Sequence, residues 1–90
     1  MITTEEISLI DREYFEVLQA GGFDICLQSK NTRHYWYIVE EVFPFFRHFK
    51  IYHKHNYGDA YHRHKDKPTL EDVIVEIMSH DAYQMNGRQH

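Results

Sequence analysis

Cysteine is nearly missing from this chain: Cys26 stands alone among 90 residues. No disulfide can form within the chain, and thiolate ligands are too few for the usual structural zinc site. No apolar run reaches membrane length, and no basic-plus-apolar leader opens the sequence, so the expectation is a reduced, cytoplasmic protein with no membrane partner. No serine or cysteine stands in a recognisable nucleophile frame, no carboxylate triad is set for magnesium, and Gly21-Gly22 is too short to cradle a phosphate. These absences weigh against an enzyme. The remaining catalytic alternative is paired histidines acting as acid and base, as in small ribonucleases.

What is present suffices for one packed domain spanning 1–90. Apolar residues make up 42% of the chain and 14 residues are aromatic, whereas the charged fraction of 27% is that of ordinary globular proteins. Net charge is −4 with histidine neutral, but it is unevenly spread. Positions 47–67 hold six basic residues against two acidic ones, and five histidines besides. The remainder carries four basic and twelve acidic residues. This distribution weighs against attraction of the whole surface to nucleic acid, and any anion site must be local.

Thr3-Thr4-Glu5-Glu6 has the form of a capping box, so a helix should begin there. Ile7, Ile10, Tyr14, Val17 and Leu18 keep helical spacing up to Gly21-Gly22, yet Glu13 to Gln19 is aromatic and β-branched enough for a strand. The preferred reading is a short helix to about residue 11 followed by a strand. Phe23, Ile25 and Leu27 then alternate with polar neighbours, Ser29-Lys30-Asn31-Thr32 supplies turn chemistry, and a strand runs from His34 to Glu40. A four-residue loop there would set Ile25 opposite Trp36 and Phe23 opposite Ile38 on the core side, leaving Tyr35, Tyr37 and Val39 on the other. Val42-Phe43-Pro44-Phe45-Phe46 interrupts the alternation as a connection, its phenylalanines expected at the core edge. Thr69 and Asp72 cap a helix whose stripe is Leu70, Val73, Ile74, Ile77 and Met78, running to about His80 and followed by a loose tail from about 86.

The distinctive stretch lies between the last strand and this helix. Tyr52-His53-Lys54-His55 is nearly repeated as Tyr61-His62-Arg63-His64 around a reversal at Tyr57-Gly58-Asp59-Ala60. Alternation places Phe49, Ile51, His53 and His55 on one face and Lys50, Tyr52 and Lys54 on the other. Pairing His53 with His62 or His64 gathers His53, His55, His62 and His64 on one side, where neutral imidazoles suit zinc, copper or nickel. On the opposite side Lys50, Tyr52 and Lys54, with Tyr35, Tyr37, Arg63 and Lys65, combine phosphate neutralisation with stacking surfaces for a nucleic acid, although no RNP signature is present.

Leu9-Ile10-Asp11-Arg12-Glu13-Tyr14-Phe15-Glu16-Val17, the Ser29-Lys30-Asn31-Thr32 turn with His34 and Trp36, and Tyr52-His53-Lys54-His55 together resemble small proteins encoded on conjugative elements of Gram-positive gut bacteria. The resemblance implies an accessory role near mobile DNA and carries over no activity or site residue. The resulting expectation is an α+β domain, an antiparallel meander of three to five strands packed against the C-terminal amphipathic helix, with a short N-terminal helix. Its function would be that of a non-enzymatic module binding nucleic acid, a protein partner or a second copy of itself, with a transition-metal site as the alternative.

Overall fold

The computed structural model describes residues 1–87. A short helix α1 (Thr4–Ile7) precedes five strands, β1 (Phe15–Ala20), β2 (Asp24–Ser29), β3 (Tyr35–Val42), β4 (Arg47–Lys54) and β5 (His62–Lys67), and helix α2 (Leu70–Met85) closes the chain. The strands form one antiparallel sheet in sequence order, which is the α+β meander expected. Of the predicted tail, Asn86 caps α2 and Gly87 takes a positive φ of 76°; positions 88–90 lie outside the described residues.

Both helices start as the sequence dictates. The Thr3 hydroxyl accepts from the Glu6 amide while the Glu6 carboxylate accepts from the Thr3 amide, and Thr69 accepts from the Asp72 amide. Two of the backbone donors that open α1, and one in α2, are satisfied by these bonds. A four-residue helix is too short to persist alone, and α1 is tied down by Arg47, whose guanidinium reaches Glu6 at 2.8 Å and the buried Glu40 at 2.8 Å.

The core lies on one face of the sheet, under α2. Ile25, Leu27, Trp36, Ile38, Phe49 and Ile51 are wholly buried, and Leu70, Val73 and Ile77 of α2 pack onto the same cluster. Asp81 rather than Met78 completes the buried stripe of the helix. Its carboxylate accepts from the Tyr14 hydroxyl at 2.7 Å and from Thr32 at 3.0 Å, so the buried carboxylate is met by donors from the residue before β1 and from the β2–β3 loop. Burial, then the bond to Asp81, pushes the Tyr14 phenol up to about 12.

Three local expectations are corrected. Leu27, not Ile25, faces Trp36, and Ile25 faces Ile38. The loop is longer than four residues: Ser29 donates its amide to His34 and accepts from that of Arg33, which adopts a left-handed φ of 67°. A shift of two residues preserves the faces of the strands, but it leaves Phe23 outside β2 and 56% exposed. The second correction concerns the phenylalanines of the β3–β4 turn. This hairpin continues to Val42 opposite Arg47, beyond the last pairings with β2 at Val39 and with β5 at Phe49. Its tip therefore has no neighbouring strand to pack on. Phe43 and Phe46 stack on each other at 4.7 Å across a tight turn, and Phe45 is 97% exposed. Phe45→Ser should consequently change the unfolding free energy by no more than about 0.5 kcal/mol in urea titration; a larger loss would place the ring in the core.

The third correction arises in β5. Tyr52 pairs with Arg63 and Lys50 with Asp66, so β5 uses one more residue than β4 over this interval. His64 and Lys65 both oppose the single residue Ile51. Lys65 is thereby turned from the basic face toward α2, 3.8 Å from Glu76.

Candidate metal centre

The histidines follow from strand parity and helix phase. His34 precedes β3 in the same alternation as Trp36 and Ile38, both on the core face. His53 continues the row of Phe49 and Ile51 in β4 and is 2% exposed. His80 stands three residues beyond Ile77 on α2, at the margin of the stripe that meets the sheet. One ring nitrogen from each of His34, His53 and His80 lies within 4.8 Å of the other two. His34 Nδ1 and His53 Nε2 are 3.0 Å apart. Nitrogens bound about 2.05 Å from a tetrahedral zinc stand about 3.3 Å from one another, so this pair needs little adjustment to share an ion.

Around His53 the rings form a shell. Their centroids lie 4.7 Å away for His80, 5.0 Å for His34 and His55, 5.3 Å for His62 and 6.1 Å for His64. Trp36 closes the inner side, stacked on His53 at 4.1 Å with its indole nitrogen donating to Ser29. Burial, followed by the neighbouring imidazoles, drives the His53 pKa down to about 3, and burial also lowers that of His80. Both rings are therefore neutral near pH 7, the form that ligates metal. The buried Nδ1 of His80 has no hydrogen-bond partner among the described residues. An imidazole nitrogen stranded in a wall of other imidazoles has an acceptor lone pair or a proton with nowhere to go, and an ion resolves the first case.

Of the four histidines singled out by the repeat, only His53 belongs to the closest group. The pairing of His53 with His62 is the first of the two registers anticipated, and it puts both on one face. His55 lies past the end of β4 and stacks flat on His34 at 4.1 Å. His64 is held by Glu76, its Nε2 2.8 Å from the carboxylate. Burial pushes Glu76 up, but His64 with Lys65 and Lys67 outweighs it and holds the carboxyl below its ordinary value. His34 and His80 were missed because they are remote in sequence from the repeat. The period-two pattern through Trp36 and Ile38, and the helical spacing from Ile77, were the signals that could have found them.

The opposite face carries Tyr35, Tyr37, Lys50, Tyr52, Lys54 and Arg63 together, without Lys65. Its cations are already engaged. Lys50 pairs with Glu41 at 2.6 Å and Arg63 with Asp66 at 2.6 Å, the guanidinium also lying over Tyr52. The Lys54 ammonium donates to the Tyr57 carbonyl and lies 4.5–5.3 Å from the ring centres of Tyr35, Tyr57 and Tyr61. Tyr37 donates to Asp24 at 2.8 Å. Phosphates would have to compete with these intramolecular partners.

No helix among the described residues is long and apolar enough to cross a membrane. No protein-family model, curated protein or solved structure matches the chain.

Proposed function

We propose that the protein is a small transition-metal-binding module whose ion is held by His34, His53 and His80. The observation that carries the reading is the convergence of three imidazole nitrogens within 4.8 Å, drawn from a loop, a strand and a helix. Ligands that are far apart in sequence bind only when the fold is complete, so binding energy becomes folding energy. An all-nitrogen set without carboxylate favours zinc, copper(II) or nickel over magnesium and calcium. His53 and His80 are neutral near pH 7 and partly desolvated, so capture of an ion requires no net release of a proton from them, only a move of the proton that His53 and His34 share in their hydrogen bond to another ring nitrogen.

Calorimetric titration of metal-free protein with zinc chloride tests this reading. One ion per chain is expected, with no heat of binding from magnesium chloride and no zinc uptake by the His34→Ala/His80→Ala variant. Zinc uptake that is absent in the native chain, or unchanged in the variant, would overturn it.

A further inference from the structure

Three protein ligands leave a fourth tetrahedral position to a solvent molecule or to another side chain, and the two cases separate catalytic from structural sites. Resting on the metal reading above, we infer that His62 supplies this ligand, so that the site closes as a four-histidine centre with no position left for an exogenous molecule.

Three outer rings compete for the role. His64 is anchored by its bond to Glu76, and its ring is the most distant from His53, at 6.1 Å. His55 lies face to face with His34, the planes only 10° apart. Leaving that stack would uncover a ring that already belongs to the site. His62 has neither restraint. It is exposed, and no hydrogen bond among the described residues holds its nitrogens. It is also the direct cross-strand partner of His53, so the two side chains rise from the same face of the sheet. Its centroid stands 5.3 Å from that of His53, close to the 5.0 Å of His34 and the 4.7 Å of His80. A change between staggered rotamers of an exposed side chain can bring a nitrogen of His62 toward the ion at little cost.

The bulge in β5 supports the assignment. It falls just after Arg63, between the pairings at Tyr52 and Lys50. His62 thereby keeps regular register with His53, and the displaced His64 is sent to Glu76. The repeat thus divides its two β5 histidines between different tasks. Closure by His62 makes the ion a staple joining the β2–β3 loop, β4, β5 and α2.

Cobalt(II) chloride and imidazole distinguish the alternatives. Native protein loaded with cobalt should show the intense visible absorption of a four-coordinate ion, and that spectrum should not respond to added imidazole. His62→Ala, at an exposed position, should fold normally and weaken zinc binding by at least about 100-fold, the upper end of the loss seen when an outer-shell partner of a metal is removed. Its cobalt spectrum should change and be restored by imidazole occupying the vacated position. His55→Ala should keep the native affinity and spectrum. If native protein binds cobalt but His62→Ala retains its affinity and spectrum, or if the native cobalt form itself takes up imidazole, the fourth ligand is not His62. Failure of the native chain to bind either ion would instead overturn the metal reading on which the inference rests.

Discussion

Metal-free protein taken from pH 7 to pH 4.5 should lose about 3 kcal/mol of unfolding free energy through His53, by the linkage between proton binding and stability. The unfolded imidazole protonates below about 6.5, whereas in the fold the pKa is held near 3 by burial and by the surrounding rings. Between those values the unfolded chain binds more protons than the native one. Stability is fully present above the unfolded pKa and declines as pH falls, by up to about 1.4 kcal/mol per pH unit for this group. His80, whose pKa is also lowered, adds loss in the same direction. The carboxylates of Glu6 and Glu76 have lowered pKa values, so their contributions vanish only below the ordinary carboxylate range. Down to about pH 5 the slope comes mainly from the histidines, because lowered carboxylates such as Glu41 begin to lose their contribution only as pH falls through the ordinary carboxylate range. Urea unfolding followed by circular dichroism across this interval checks the slope. His53→Phe, which keeps a ring against Trp36, should flatten most of it; a native slope retained in that variant would assign the acid sensitivity elsewhere.

Zinc at about a thousand times its dissociation constant should stabilise the native chain by about 4 kcal/mol. For a domain of this size each kcal/mol corresponds to about 4–8 °C in Tm, so the thermal transition should move upward by more than about 15 °C. The shift should grow with the logarithm of free zinc, which separates site binding from a nonspecific salt effect. It should contract toward pH 5, because an ion that bridges neutral imidazoles competes with protons, first at the less buried ligands. The His34→Ala/His80→Ala variant should show almost none of it, and magnesium should not reproduce it. A transition indifferent to zinc at every concentration would sink the proposal, whatever the apparent order of the rings.

The fold was legible wherever one element's own chemistry decides its fate. Thr3 to Glu6 and Thr69 to Asp72 announce helix starts, and the alternations through Ile25, Ile38 and Ile51 announce strands with one buried face. The features that escaped depend on two segments at once. The length of the β2–β3 loop is decided by Arg33 in a left-handed conformation, which an arginine does not advertise. The exposed Phe45 reflects the β3–β4 hairpin outrunning its neighbours, and the loss of Lys65 from the basic face reflects the β5 bulge. The candidate site was legible by half. The Tyr-His-x-His repeat directed attention to His53 and its cross-strand partner His62, but proximity along the chain also recommended His55 and His64. Proximity in the fold selects His34 and His80 instead, since only register and helix phase bring those rings to His53.

Trp36 is the sole tryptophan of the chain, and its indole is stacked on the His53 imidazole, with centroids 4.1 Å apart and planes inclined by 28°. The molecule therefore carries its own optical reporter. Excited indole is quenched by an imidazolium and by paramagnetic copper(II), whereas diamagnetic zinc has no such effect. Under the proposed metal binding, emission at a single wavelength would register proton arrival, copper capture and displacement of zinc by copper(II), each at the ring stacked on Trp36.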